Sequence, residues 1–235
     1  MGLNENKIQQ ITPDELIGPL NEVEKKHAPP HLFVAGDIGL CKNDPRVSVI
    51  GTREVSDDGI RRTQKLVRIL VKHGVVVVSG LARGVDACAH WTAITAKGRT
   101  IAVLGTPLDR FYPKENATLQ QIIMTDHLAI SQFTPGTNVY KGNFPIRNRT
   151  MALISHATVI VEAGEGSGTL HQGWEALRFG RPLFLMSSLL KNHNLKWPQK
   201  MVEYGAQVLS DETMDMFFEL VPREFPSAQL AEMSF

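Results

Sequence analysis

Cysteine is scarce in this sequence, since only Cys41 and Cys88 occur among 235 residues. They form no Cys-x-x-Cys pair and no disulfide framework, a pattern typical of the reducing cytoplasm, so we expect a cytoplasmic protein. No run approaches the ~18 apolar residues of a membrane span, and the polar N-terminal stretch lacks the apolar centre of a signal peptide. We therefore expect neither a disulfide-stapled secreted fold nor an association with the membrane.

An excess of charge of either sign is missing as well. Lys and Arg number 25 against 24 Asp and Glu, which gives a formal net charge of +1. A global attraction to nucleic acid or to a membrane surface is thereby excluded, and any anion site must come from a local concentration of basic residues. Low-complexity tracts and repeats are also absent. The length and the 43% hydrophobic content suit one sizeable globular domain.

Short β-branched runs alternate with helical patterns from Arg46 onward. Most runs are almost continuously apolar, as in strands that are buried on both faces of a parallel sheet. The predicted strands are VSVI (47–50), VVVVS (75–79), TIAVLG (100–105), LAIS (128–131), TVIVEA (158–163) and PLFLM (182–186), with HLFVAG upstream and AQVLS (206–210) downstream. One predicted helix follows Ser56 as N-cap and ends at Gly74, and two more end at Gly98 and Gly180. The alternation predicts an α/β fold with a mostly parallel, doubly wound sheet in a single domain.

The chain divides into three predicted parts. Residues 1–45 form an N-terminal extension, residues 46–210 form the core, and residues 211–235 form a C-terminal helix and tail. The segment DETMDMFFEL within the last part carries an apolar stripe, which either core packing or a partner could cover.

Ligands of such sheets bind beyond the carboxyl ends of the strands, so the loops that follow the strands are the candidates for a site. These loops are rich in Gly, Ser, Thr and Arg, and glycine allows close backbone approach while free N–H groups at helix starts suit phosphate. The loops are GTREVSDDG (51–59), SGLARGVD (79–86), LGTPLDRFYPKEN (104–116), FPIRNR (144–149) and GEGSGTL (164–170). Their basic residues are Arg53, Arg83, Arg110, Lys114, Arg147 and Arg149. We expect these residues to gather at one rim and to bind a phosphate backbone or a nucleotide.

The arginines of FPIRNR are predicted to lie around the start of an apolar helix. A cation there is mildly unfavourable, by roughly 0.3–1 kcal/mol, because the first helical turn carries partial positive charge. Either Arg147 and Arg149 point into water, or an anion meets the helix start and both guanidinium groups together.

No arrangement of residues points clearly to catalysis. The sequence lacks the G-x-G-x-x-G, Walker A and G-x-S-x-G patterns. The motifs that usually indicate a dinucleotide site, a P-loop or a hydrolase nucleophile are therefore missing. Asp86 and His90 lie at i, i+4, but no second pair supports a zinc site, and we interpret His90 as a core residue. Glu162 is predicted to accept backbone or arginine hydrogen bonds that hold the rim together, and Trp91 and Trp174 are predicted to lie in the core. We therefore predict no catalytic residues, no metal and no cofactor.

Five motifs together resemble the DprA/Smf family, the DNA-processing protein A group. They are GTR (51–53), SGLARGVDACAH (79–90), GRTIAVLGTPLDRFYPKEN (98–116), FPIRNR (144–149) and VEAGEGSGTL (161–170), in the family's order and spacing. The resemblance implies an extended Rossmann-like fold that binds single-stranded DNA without strong sequence preference. It also implies a homodimer, a role in natural transformation and recombination, and RecA recombinase as a partner, with no established catalytic activity.

Carried over position by position, the resemblance assigns binding to the glycine-rich loops. The GTR loop supplies Gly51, Thr52 and Arg53, and the SGLARG turn supplies Ser79, Gly80 and Arg83. The FP-x-RNR segment supplies Arg147, Asn148 and Arg149, and the SG-[ST]-L turn supplies Ser167, Gly168 and Thr169. Arg110 and Lys114 extend the predicted site for DNA phosphates, and bases are expected near Phe111, Tyr112 or Phe144.

Two segments depart from the family pattern. Ser131-Gln132 stands where the family usually has Ser-Glu, so a charge at the floor of the site is missing, and His171-Gln172-Gly173 replaces small or Thr residues. We also expect a minimal core, without the helical N-terminal and winged-helix-like C-terminal domains of longer members.

Two other functions stay open. One is a sensor or adaptor that binds a nucleotide-derived signal in the same pocket, as related domains in bacterial defence systems are thought to do. The other is a nucleotide phosphoribohydrolase, because GEGSGTLHQ (164–172) resembles the middle of the PGGxGTxxE signature of enzymes that release cytokinin bases from nucleotides. The glutamate of that signature falls at Gln172 here, which argues against the enzyme.

Overall fold

The computed structural model describes residues 8–42 and 44–221, and its strands form one sheet. The strands are β1 (Gln9–Ile11), β2 (Leu32–Gly36), β3 (Arg46–Gly51), β4 (Val76–Ser79), β5 (Thr100–Leu104), β6 (Leu128–Ser131), β7 (Ala157–Glu162), β8 (Leu183–Met186) and β9 (Gln207–Leu209). Their order across the sheet is β1-β2-β6-β5-β4-β3-β7-β8-β9. Strands β3 to β9 are parallel, and β2 runs antiparallel to both of its neighbours. The predicted α/β class with a mostly parallel sheet is confirmed.

Helices follow most strands, as the alternating pattern predicts. They are α1 (Pro13–Ile17), α2 (Glu22–His27), α3 (Asp57–Lys72), α4 (Val85–Thr95), α5 (Ala117–Asp126), α6 (Asn143–Ile154), α7 (Thr169–Arg178), α8 (Ser187–Leu190), α9 (Trp197–Glu203) and α10 (Met214–Leu220). The Ser56 hydroxyl accepts a hydrogen bond from the Gly59 amide at 3.0 Å, which makes it the N-cap of α3 as predicted. The sequence pattern did not predict α5, whose mixed Thr, Gln and Ile content carries little helical periodicity.

The continuous apolar runs reflect helices packed on both faces of the sheet. Alternate residues of β4 enter different cores, since Val76 and Val78 face the helix α6 side while Val77 packs with α3 and α4. Both faces of each central strand are therefore removed from water, which is why the runs do not alternate with polar residues.

The direction of chain winding reverses between β3 and β7. From β3 the chain proceeds outward through β4, β5 and β6, and it then returns to place β7 on the other side of β3. The loops after β3 and β7 therefore diverge, and the crevice between them lies at a topological switch point, where open α/β sheets bind ligands.

The predicted N-terminal extension contributes β1 and β2 to one edge of the sheet. Arg46, only 1% exposed, connects this region to the core, because its guanidinium donates to the carbonyl oxygens of Cys41 and Ile154. The division of the chain into three parts stays a prediction, and its stretches 1–7 and 222–235 lie outside the described residues. Within the described residues, no helix is both long and apolar enough to cross a membrane.

Candidate nucleic-acid interface

Two neighbouring cavities open at the carboxyl ends of the central strands. The first, of about 510 Å³, lies at the switch point, and we call it the glycine-rich cavity. Its lining includes Gly51, Thr52, Arg53, Asn148 and residues 164–169. The second, of about 390 Å³, is the aromatic cavity, and its lining includes Gly80, Arg83, Tyr112 and Lys114. Four residues line both cavities and form the partition between them: Arg53, Ala82, Phe144 and Arg147.

Arg147 is held by the ends of two parallel strands. The side chain is 6% exposed, and its Nη1 donates to the carbonyl oxygens of Gly80 at 2.5 Å and Val103 at 2.7 Å. Its Nε donates to Asn148 Oδ1 at 2.9 Å, whereas Nη2 has no acceptor among the described residues. The guanidinium is thus fixed in place and keeps one nitrogen for a ligand.

FPIRNR lies at the start of a helix as predicted, but its arginines lie one turn further into that helix than the sequence suggested. Helix α6 begins at Asn143, so Arg147 is its fifth residue. Pro145 does not interrupt the helix, because the amide that proline lacks has no intrahelical partner in the first turn. The burial of Arg147 therefore depends on its contacts with the strand ends, and the partial charge of the first helical turn acts on it less than the sequence suggested.

A buried carboxylate, Asp86 of α4, lies beneath Arg147. Gly80 separates the two groups, because a Cβ atom at position 80 would lie 2.3 Å from Arg147 Nη1 and 2.7 Å from Asp86 Oδ2. Burial raises the pKa of Asp86, and the charge of Arg147 opposes that shift. Burial likewise lowers the pKa of Arg147, and Asp86 opposes it. The attraction between the two charges helps to keep the Arg147 cation buried beside the cavities, and the sequence alone did not reveal this role of Asp86.

Side-chain hydrogen bonds close the glycine-rich cavity. Asn148 Nδ2 donates to the Gly168 carbonyl at 3.1 Å, so the partition is tied to the loop that precedes α7. Thr169 Oγ1 donates to the Gly51 carbonyl at 3.0 Å, and Ser167 Oγ accepts from the Thr169 amide at 3.3 Å. Residues of the GTR, FPIRNR and GSGTL motifs therefore come together at one place, as the order of the strands predicts.

The aromatic cavity is built on Phe144. The ring lies directly over Gly105, where an added Cβ would be 2.6 Å from Phe144 Cδ1, so only glycine permits this approach. The Tyr112 ring is 5.7 Å away between centroids. The Arg53 guanidinium lies 5.7 Å from the Phe144 centroid, within the range of a cation–π contact.

The basic residues that line the cavities differ in their partners. Arg53 and Lys114 are exposed, and neither forms an ion pair with any residue in the described ranges. Arg83 is also exposed, but its Nε lies 3.3 Å from Glu115 Oε1. Arg53 and Lys114 are therefore the cations that are available to a phosphate without breaking an existing ion pair.

The structure corrects the expected rim at three positions. Arg149 lines neither cavity and pairs with Glu175 of α7, with 3.3 Å between Nε and Oε2. Residues two apart in a helix differ by about 200° in direction, so Arg147 and Arg149 cannot face the same site. Arg110 also lies outside both cavities. Ser79 is buried, and its hydroxyl donates to the Val49 carbonyl at 2.7 Å, because it belongs to the sheet and not to the loop.

Two predictions about individual side chains are confirmed. The Glu162 carboxylate accepts hydrogen bonds from the amide and hydroxyl of Ser56 and from Arg62 Nη2 at 2.9 Å, so it holds the loop after β3. His90 is fully buried with Nδ1 2.7 Å from Thr100 Oγ1, and burial lowers its pKa to about 3. His90 is therefore a core residue, and no bound metal is needed to account for it.

Two tryptophans and two glutamines that the sequence singles out lie in different surroundings. Trp91 is 43% exposed, so its assignment to the core is wrong, whereas Trp174 packs partly buried against the core. Gln132, where the family usually has Glu, accepts a hydrogen bond from Thr150 of α6 and lies outside both cavities. Gln172 is buried at the edge of the glycine-rich cavity. Among the residues that the structure describes, no cluster of His, Cys, Asp or Glu could hold a metal ion.

Comparisons with known proteins agree on one family. The family described as DNA recombination-mediator protein A matches residues 11–221. The DNA processing protein DprA of Streptococcus pneumoniae is 39% identical over 191 residues, which cover 78% of this chain and 67% of the relative. Protein Smf of Synechocystis is 37% identical over 207 residues, which cover 87% of this chain and 52% of the relative. The chain thus spans about half to two thirds of the length of these curated relatives.

Solved structures of the same group share the fold. DprA of Streptococcus pneumoniae superposes with a TM-score of 0.77 at 32% identity, covering 91% of this chain and 74% of that one. A structure described as revealing the single-stranded DNA binding mode of DNA processing protein A from Helicobacter pylori has a TM-score of 0.77 at 26% identity, with coverages of 92% and 99%. A molybdenum cofactor binding protein of Rippkaea orientalis shares the fold alone, with a TM-score of 0.56 at 19% identity and coverages of 75% and 97%. The motifs, the fold and the family match together establish that this chain belongs to the DNA recombination-mediator protein A family, the DprA/Smf proteins.

Proposed function

We propose that this chain binds single-stranded DNA at the two adjoining cavities. The observation that carries the proposal is the shared partition, in which the exposed Arg53 and the fixed Arg147 stand between a glycine-lined space and an aromatic one. The two spaces match the two parts of a nucleotide, because its phosphate is an anion and its base has an apolar face. The single-stranded DNA binding mode described for the Helicobacter pylori relative supports the same assignment.

The glycine-rich cavity suits the phosphates. Helix α7 begins at Thr169 beside it, and the partial positive charge of a helix start favours an anion. Arg53 and the Nη2 atom of Arg147 would add charge-assisted hydrogen bonds. Three carboxylates also line this cavity, those of Glu54, Asp86 and Glu165, and Glu165 Oε1 accepts a hydrogen bond from the Lys196 amide at 2.5 Å.

The aromatic cavity suits a base that has left a stack. Phe144 and Tyr112 offer ring faces, and stacking on aromatic rings accepts every base. Bases of a duplex are paired and stacked, so they do not reach such a cavity without being extruded. A single strand with little sequence preference is therefore the ligand class that fits both cavities.

Fluorescence anisotropy of labelled strands tests the proposal. The wild type should bind oligothymidine and a mixed sequence with similar affinity, and the binding should weaken steeply between about 50 and 200 mM salt. The double variant Arg53→Ala, Lys114→Ala should bind more weakly and show a smaller salt slope. Arg68 and Lys72, which lie exposed on α3, provide the matched control, because their double alanine variant also removes two positive charges. Equal affinities for the two double variants would refute the proposed site.

A small nucleotide is the second candidate ligand. The glycine-rich cavity of about 510 Å³ has the size of a small-molecule site, which is why a sensor of a nucleotide-derived signal stays under consideration. Thermal unfolding in the presence of short oligonucleotides, mononucleotides and dinucleotides separates the two candidates, because only a ligand of the folded state raises the midpoint. A larger shift with mononucleotides or dinucleotides than with oligonucleotides would favour the sensor. Release of adenine from AMP would instead indicate the phosphoribohydrolase, which Gln172 argues against.

The partners of the whole relatives are proposals for this chain. The family resemblance supports a homodimer and a role in loading RecA during recombination and natural transformation. Light scattering of the purified protein measures its oligomeric state, and co-purification with RecA on a single strand measures the second interaction.

A further inference from the structure

Apolar side chains are concentrated on the surface beside the aromatic cavity. Five of the nine large hydrophobic side chains that are exposed within the described residues belong to just two segments, 111–112 and 139–146. They are Phe111, Tyr112, Val139, Tyr140 and Ile146. Tyr140 is 63% exposed, and its ring stacks on no other ring of the described residues. Such a concentration on a folded surface marks an interaction site.

The two segments form one continuous surface because the loop 132–142 is tied at several points. The Gly136 amide donates to Asp109 Oδ2 at 2.7 Å, which places the loop against the segment that carries Phe111 and Tyr112. At its other end, the Asn143 amide donates to the Tyr140 carbonyl at 3.0 Å, so Tyr140 is fixed to the start of α6. Phe144, one residue further on, is the ring that packs near Tyr112 in the aromatic cavity. The surface is therefore continuous with the proposed DNA site.

Loop 132–142 and helix α6 carry no carboxylate of their own. The chain has no Asp or Glu between Asp126 and Glu162, a stretch that includes the whole loop and α6. Lys141 follows Tyr140 directly, is exposed, and has no ion pair with any described residue. Asp109, the carboxylate that contacts the loop, accepts the Gly136 amide. An apolar loop that carries a cation and no carboxylate of its own fits a polyanion that also carries flat apolar groups.

We propose that loop 132–142 is a second contact for the DNA strand, in which Tyr140 stacks on a base outside the cavities while Lys141 meets a neighbouring phosphate. The proposal rests on the proposed function, since it extends the strand beyond the two cavities. Aromatic rings beside a basic groove are the usual means by which proteins bind successive bases of a single strand. The cavities then hold one part of the strand, and the loop determines how a longer strand continues.

The test compares strand lengths and a base-free strand. Tyr140→Ala should weaken the binding of a 20-nucleotide strand roughly tenfold, as expected for the loss of one stacking ring. The same change should leave the binding of a trinucleotide unaltered, because a trinucleotide is held by the cavities. Tyr140→Phe should bind like the wild type, since the ring remains. With an abasic 20-nucleotide strand, wild type and Tyr140→Ala should bind equally.

Trp91→Ala is the control, because it also removes an exposed aromatic side chain, from the part of α4 that lines neither cavity. Equal binding of the 20-nucleotide strand by wild type and Tyr140→Ala would overturn the second contact. The proposed function would still stand in that case, because the wild type would still bind the strand. An equal loss with the abasic strand would also overturn it, because the contact would not then involve a base. Failure of the wild type to bind any strand would overturn the proposed function itself, and this inference with it.

Discussion

Arg147 Nη1 donates to the Gly80 carbonyl oxygen at 2.5 Å, and this contact joins the FPIRNR helix to the end of β4. The same nitrogen donates to the Val103 carbonyl at the end of β5. Asp86 lies on the other side of Gly80, so a buried cation and a buried carboxylate meet around a glycine. Because buried charges are stable only when they are paired and hydrogen-bonded, this cluster fixes the floor between the two cavities.

Gly80→Ala should disrupt that floor. The new methyl group would lie 2.3 Å from Arg147 Nη1 and 2.7 Å from Asp86 Oδ2, so one of these buried groups must move. We expect a loss of about 1–3 kcal/mol in the free energy of unfolding, measured by urea denaturation. Gly142→Ala is the control, because position 142 has a helical φ of −64° and no atom within 4 Å of the added Cβ. Two variants of equal stability would contradict the close packing at Gly80.

Arg149→Ala should affect DNA binding far less than Arg53→Ala. Arg149 already pairs with Glu175 away from the cavities, whereas Arg53 is exposed at the partition and has no carboxylate partner among the described residues. Salt titrations by anisotropy should show that Arg53→Ala lowers the slope of log affinity against log salt by about 0.7, the value for one phosphate of a single strand. The slope for Arg149→Ala should equal that of the wild type. A larger change at Arg149 would mean that the strand follows the α6–α7 side of the fold.

Glu54→Gln should strengthen strand binding. Glu54 is exposed, lines the glycine-rich cavity and follows Arg53 directly, so its carboxylate repels an incoming phosphate. We expect the affinity for the strand to rise roughly two- to fivefold, which is the effect of one exposed charge. This gain in affinity should disappear as the salt concentration is raised. Glu219→Gln on the exposed side of α10 removes the same charge away from the cavities and should leave the affinity unchanged. Weaker binding by Glu54→Gln would indicate that the carboxylate itself contacts the ligand.

Stability should fall as the pH is lowered from 7 to 5, in part through His156. Burial, with help from the charges of Arg46 and Arg181, lowers the pKa of His156 to about 3 from an ordinary value of 6.5. The unfolded chain therefore binds a proton in this window that the folded chain does not, so protons favour unfolding.

His156→Asn isolates this contribution. The His156 Nδ1 accepts the Arg46 amide at 2.8 Å, and an Asn carbonyl oxygen can occupy the same place. The loss of unfolding free energy between pH 7 and pH 5 should be smaller in the variant by about 1–2 kcal/mol. Urea denaturation at both pH values measures the difference, and identical losses in the two proteins would rule out His156 as its source.

The order of most strands and helices was predictable because it depends on local properties, although α5 was missed. Continuous β-branched runs such as VVVVS indicate strands with two covered faces. Ser56 starts α3 through its capping hydrogen bond, and Gly74 follows its end because glycine readily adopts a positive φ. The loops of the site were also found from the sequence, since parallel strands bring their carboxyl ends to one edge of the sheet. The family motifs identified the same loops.

Which side chains face the cavities was decided by the tertiary structure. Arg147 and Arg149 look equivalent in FPIRNR, but the start of α6 at Asn143 and the 100° per residue of a helix turn one into the partition and the other toward Glu175. Trp91 was assigned to the core by its helical setting, yet its position on α4 leaves it 43% exposed. The attraction between Asp86 and Arg147 across Gly80 joins residues about 60 positions apart in the chain. Local sequence patterns were enough to place most of the elements and the loops that meet, whereas the packing of these elements determined which charge is buried, which is paired and which is left for a ligand.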